Sequence, residues 1–134
     1  MLVDAGPLIA LLDRHDPDHD ECRQAIADGD EALETTWPVL TAAGNLLQRR
    51  VGTRAVHELV GLVERGALRI VDVPATSIDA IGALMRTYAD APMDIADASL
   101  VAAAEATDET RILTLDAHFH AYRLSGGRRF PVLP

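Results

Sequence analysis

Apolar residues along this 134-residue chain fall into two patterns that alternate. Short apolar runs bounded by polar or turn residues read as strands: Leu2-Val3-Asp4, Ala32–Thr36, Leu68–Val73, Arg111–Leu115 and Phe130–Leu133. The clearest is LRIVDV, set between a glycine and a proline. Between the runs, apolar residues recur at helical spacing, best seen in Ile78, Ile81, Leu84, Met85 and Tyr88. This spacing predicts helices over Pro7–Arg14, from after Asp18 to about Ala27, over Pro38–Arg50, Arg54–Arg65 and Ser77–Ala89, and from near Asp94 to about Glu105. Pro38 suits a first helical turn, and Gly66 suits a helix end. A short helix over His118–Arg123 precedes the last strand. Such alternation predicts a three-layer α/β/α sandwich with a mostly parallel central sheet, covered on both faces. No repeat or linker interrupts it, so residues 1–134 are expected to form one domain.

Composition narrows the function classes. Apolar residues make up 49% of the chain and charged residues 25%, a globular balance. Cys22 is the only cysteine, so no internal disulfide forms and a reducing, cytoplasmic setting is expected. No apolar run reaches the roughly 20 residues of a membrane span, and no membrane partner is expected. The start, MLVDAGPLIALL, has no basic region of the kind that opens a signal peptide. The net charge is −9, and all twelve basic residues are arginines. So acidic a surface argues against passive, phosphate-driven nucleic-acid binding, though not against an enzyme that gathers carboxylates to hold a cation. Arg49, Arg50 and Arg54 form one arginine cluster, and Arg128 and Arg129 another. Solvated helix ends explain them, and phosphate contact is the functional alternative.

The segment PMDIADASLVAAAE places Asp94 and Asp97 in an otherwise apolar run. Spaced three apart, they share a helix face. Helix capping accounts for either one alone, because Asp94-x-x-Asp97 resembles a capping box. Asp4 closes the first strand and Asp116 the strand RILTL. In a parallel sheet both emerge at the carboxyl edge, where ligands bind. Carboxylates crowded there repel unless a cation neutralises them or some take up protons. Oxygen ligands without paired His or Cys favour Mg²⁺ or Mn²⁺ over Zn²⁺. Such an ion activates water and polarises a phosphodiester.

Taken in order, MLVDAGPLIALLDR, PMDIADASLVAAAE and ILTLDAHFHAYR resemble the PIN-domain ribonucleases of the VapC toxin type, over nearly the whole chain. The resemblance implies a doubly wound α/β/α fold and a Mg²⁺- or Mn²⁺-dependent endoribonuclease acting on RNA. It also implies a homodimer neutralised by a small antitoxin protein. By position, Asp4 matches the first family acid, Asp97 the acid of the helix and Asp116 the last. Asp94 matches an additional acid of relatives carrying PMDxADA. These four are the expected metal ligands, with Asp4, Asp97 and Asp116 at the catalytic centre; Arg49 and Arg50 are the expected RNA contacts. One position departs. Where the family pattern VLTEA carries a glutamate, this chain reads VLTAA, so the acidic position is vacated at Ala42. Glu34 lies in a predicted strand and is a poor substitute. An engineered inactive form and a natural chain that manages without this ligand both fit Ala42. Either way, impaired cleavage is the expectation.

Two other classes compete. A receiver-like phosphoryl-transfer domain needs a strand-end lysine, and the chain has no lysine. A non-catalytic PIN-like binding or dimerisation module is favoured by Ala42, but gives no reason to keep four other acids. Among remaining residues, Thr114 and Thr41 could support the acids in place of the hydroxyl that relatives carry after the first one. His15 and His19 read as loop residues beside a cap at Asp18, with Pro17 between them. His118 and His120 follow Asp116 and read as a surface helix, with an RNA contact or proton donor as the alternative. Trp37 reads as core or dimer interface, with base stacking as the remote alternative. Cys22 reads as a small buried apolar residue.

Overall fold

A computed structural model describes residues 1–134. In chain order the elements are β1 (Leu2–Val3), α1 (Ala5–Leu12), α2 (His19–Asp28), β2 (Leu33–Thr35), α3 (Trp37–Arg50), α4 (Thr53–Glu64), β3 (Leu68–Ile70), α5 (Ile78–Thr87), α6 (Ile95–Thr107), β4 (Ile112–Leu113) and β5 (Val132–Leu133). Short 3₁₀ turns occupy Ala75–Ser77, Ala117–His120 and Ser125–Gly127. Every predicted strand and helix is present, with the strands shorter than predicted and the short helix over 118–123 reduced to a 3₁₀ turn. The helix expected from Pro7 begins at Ala5, because Asp4 caps it. Gly66 follows α4 with φ 74°, the left-handed conformation that stops a helix.

The five strands form one sheet in the order β3-β2-β1-β4-β5, and every pairing is parallel. The α/β class with a parallel sheet flanked by helices is therefore as expected. Leu2, Val3, Ile112 and Leu113 on the central strands are fully buried, as continuous apolar runs require when helices cover both faces. They belong to a core cluster of 25 buried residues that also takes in Leu8, Val39, Leu47, Leu59, Leu100 and Val101. From β1 the chain moves to one side, to β2 and then β3; it then crosses back to place β4 on the other side. The strand order thus reverses between β1 and β4, the switch point beyond whose carboxyl ends open α/β sheets bind ligands. No helix is long and apolar enough to cross a membrane.

Candidate active site

The register between β1 and β4 explains what stands at that edge. Val3 pairs with Leu113, so the next residues, Asp4 and Thr114, leave the sheet side by side. The Thr114 hydroxyl donates to Asp4 Oδ2 at 2.7 Å, and the Ala5 backbone N–H donates to Asp4 Oδ1 at 2.7 Å. Asp4 thereby caps α1 and is only 8% exposed. Thr114 Oγ1 also accepts from the Asp116 N–H at 3.0 Å, so one hydroxyl links two acids. Asp116 caps the 3₁₀ turn that follows it: its Oδ1 accepts from the His118 N–H at 2.8 Å and faces His118 Nδ1 at 2.7 Å.

The other two acids arrive on α6. Asp94 is the N-cap, and its Oδ1 accepts from the Asp97 N–H at 2.8 Å. Asp97 Oδ2 accepts in return from the Asp94 N–H at 3.3 Å, completing a capping box. Oδ2 also accepts from the Tyr122 hydroxyl at 3.2 Å. Asp97 is 7% exposed, so capping alone does not explain it; a capping aspartate usually stays in water.

Electrostatics join the four. Burial raises the Asp4 carboxyl above its ordinary range, against the Thr114 and Ala5 hydrogen bonds, and the charges of Asp116 and Asp94 push it further. Burial, then Asp94 and Asp4, raise the Asp97 carboxyl to about 6. Arginine pairs lie elsewhere, on Asp16, Glu58, Glu34, Glu31, Glu109 and Asp108, and none touches these acids. An oxygen-only donor set without an arginine partner fits a hard divalent cation such as Mg²⁺ or Mn²⁺. No three acidic, histidine or cysteine side chains are yet disposed to hold an ion together. The capping box and the Asp116–His118 contact already engage one oxygen each of Asp94, Asp97 and Asp116.

This geometry has relatives. A PIN-domain family model matches residues 1–124. The chain is 33% identical to Ribonuclease VapC26 of Mycobacterium tuberculosis over 135 residues, covering all of both chains. The chain belongs to the PIN-domain family of VapC ribonucleases. The crystal structure of M. tuberculosis VapC20, a sarcin-ricin-loop-cleaving toxin, matches with a TM-score of 0.85 over 99% of this chain and 98% of that one. At 22% identity that match establishes the shared fold.

Within this PIN domain, the charges of Asp94 and Asp116 reach Asp4, and those of Asp94 and Asp4 reach Asp97. Ala42 is half-buried in the second turn of α3, which starts beyond the carboxyl end of β2, at the same edge. Glu34 does not stand in for the acid expected at position 42: it sits within β2, opposite Arg69, whose Nη2 donates to it at 2.6 Å. Arg49 and Arg50 do not reach the site. They end α3, about 20 Å along its axis from Trp37, and Arg50 faces Asp16 at 3.7 Å. Of the two threonines considered, Thr114 supports the acids, whereas Thr41 is exposed on α3. Trp37 is 63% exposed, which rules out a place in the core, whereas Cys22 is fully buried. His15 stands in solvent beside Asp13, and His19 Nδ1 lies 2.7 Å from the Ala10 carbonyl, so the two form no metal pair. Tyr122 was not foreseen; six residues after Asp116, it carries the pattern of an ordinary core aromatic.

Proposed function

We propose that this chain is built as a divalent-cation-dependent endoribonuclease toxin that hydrolyses phosphodiesters of single-stranded RNA, and that Ala42 leaves it impaired. The observation that carries this reading is the set of four acids, unpaired with arginine, at the sheet edge beyond β1 and β4. Asp4, Asp97 and Asp116 would hold Mg²⁺ or Mn²⁺, with Asp94 supporting them. A bound ion would supply Lewis-acid polarisation of the phosphodiester and a lowered pKa for the attacking water. The chain's own part is placement. Asp97 Oδ1, Asp94 Oδ2 and Asp116 Oδ2 accept no hydrogen bond from the protein and stay available. Thr114 holds Asp4 and the Asp116 backbone in one frame. Asp97 binds an ion only once its proton has left, so ion and proton compete for it.

The toxin reading brings two protein partners. A small antitoxin and a second copy of this chain both need apolar surface. The groove between α3 and α4, lined by Leu40, Gly44, Val56, Leu59 and Val60, could take a partner helix, and Trp37 and Ile78 are exposed elsewhere. Ala42 favours a second reading, a PIN domain retained only for binding.

The test is RNA cleavage with Mn²⁺ or Mg²⁺, comparing this chain with Ala42→Glu and an EDTA control. Cleavage by Ala42→Glu alone, stopped by EDTA, is the expected result. Cleavage by this chain at the rate of Ala42→Glu would remove the claim of impairment. Silence from both across a broad panel of RNAs would favour the binding module.

A further inference from the structure

Asp97 has two unequal oxygens. Oδ2 receives the Asp94 backbone N–H at 3.3 Å and the Tyr122 hydroxyl at 3.2 Å, while Oδ1 accepts nothing from the protein. Both contacts are long for their type, so they differ less in strength than in how firmly each donor is held. The tyrosine is better anchored. Its ring is fully buried, edge-on to Tyr88 with centroids 5.1 Å apart and to Phe119 at 5.0 Å, so its hydroxyl cannot swing away. The same hydroxyl lies 3.3 Å from the Ala91 carbonyl, in the turn leading into α6. Tyr122 follows the 3₁₀ turn capped by Asp116. One ring therefore ties together the segment carrying Asp116, the approach to α6 and the carboxylate of α6. A phenol proton has one direction, and the ionised carboxylate attracts it more strongly than a neutral carbonyl does.

We propose that Tyr122 is the positioning residue of this site: its hydroxyl pins Asp97 Oδ2 and so turns Oδ1 toward the cation. The inference rests on the nuclease reading above, because it needs an ion for Asp97 to hold. Partners that orient a ligating side chain typically matter 10–100-fold in metal affinity. Tyr122→Phe removes the proton and keeps the ring.

The experiment measures Mn²⁺ binding, without RNA, from the free Mn²⁺ signal in electron paramagnetic resonance. It compares the full chain with Tyr122→Phe, Tyr88→Phe, Asp97→Ala and the double variant Tyr122→Phe/Asp97→Ala, each also in the Ala42→Glu background. Tyr88→Phe is the control for the aromatic cluster, since its hydroxyl only accepts from the Arg123 N–H at 3.0 Å. Tyr122→Phe is expected to weaken Mn²⁺ about tenfold, Tyr88→Phe to leave it unchanged, and the double variant to match Asp97→Ala. Affinity in Tyr122→Phe within twofold of the parent overturns the inference and leaves the nuclease reading standing. An equal loss in Tyr88→Phe overturns it as well, by assigning the effect to the fold. A parent and an Ala42→Glu variant that both take up no Mn²⁺ overturn the nuclease reading and the inference with it.

Discussion

Asp97 carries a measurable consequence of burial and, after it, of crowding. Its carboxyl is raised to about 6 in the fold, against 3.8 when free. The folded state therefore binds this proton more tightly than the unfolded state. The resulting stability is fully present below pH 3.8 and is lost as pH rises through about 6. Asp97→Asn stays neutral and can still accept from Asp94 and Tyr122. It is expected to unfold about 2 kcal/mol harder than the parent at pH 8 without metal, with the difference vanishing near pH 4. Urea titrations at both pH values check this, and a difference independent of pH would contradict it. Residues of this kind were legible to the extent that backbone register governs them. Asp4 directly follows β1 and Asp116 lies three residues past β4, and parallel pairing sends both segments to one edge whatever their side chains do. Tyr122 was not legible, because its role depends on a contact 25 residues back along the chain. Trp37 misled for the opposite reason: its apolar character suggests burial, but it is the first residue of α3, at the rim of the sheet.

Among the elements, α6 concentrates the competition between folding and site. Its N-cap, Asp94, stabilises the helix by accepting the Asp97 N–H and destabilises its surroundings by charge. Asparagine keeps the cap and drops the charge, and alanine drops both. Asp94→Ala is expected to lose about 1 kcal/mol, and Asp94→Asn to equal or exceed the parent in metal-free buffer, by the same titration. A second bond holds α6 against α3: the buried hydroxyls of Thr36 and Ser99 lie 2.6 Å apart, and Ser99 donates onward to the Ala96 carbonyl. Ser99→Ala strands the Thr36 hydroxyl and should cost about 1–2 kcal/mol. Thr36→Val/Ser99→Ala should recover part of that loss, a non-additivity that a double-mutant cycle measures. Element types were readable from periodicity, because long amphipathic stretches have one solution. Their ends were not. Strands of two or three residues leave the apolar run longer than the ladder, and α1 starts at Ala5 because Asp4 adopts extended backbone at its cap.

Across the whole molecule, a glutamate at position 42 adds to an existing surplus of negative charge. Ala42→Glu is expected to melt a few degrees below the parent in EDTA and to show the larger upward shift with saturating Mn²⁺, by calorimetry at low salt. Equal shifts in both proteins would place position 42 outside the ion site. The three-layer architecture could be read before any coordinates, since strands alternating with helices in this order admit few arrangements. Which helix end faces which acid could not, because capping and ligation draw on the same residue types at the same spacing. That overlap is itself instructive. Asp4, Asp94 and Asp116 each receive a backbone N–H at the start of a helix or turn. The chain thus answers much of their charge by itself, unlike small domains that collapse when their metal is taken away. On the nuclease reading, such a protein could be synthesised, stored and purified without an ion, and ion supply would then set when it works. Chelation should therefore act as a reversible off switch, silencing Ala42→Glu while leaving it as folded as protein that never met a metal.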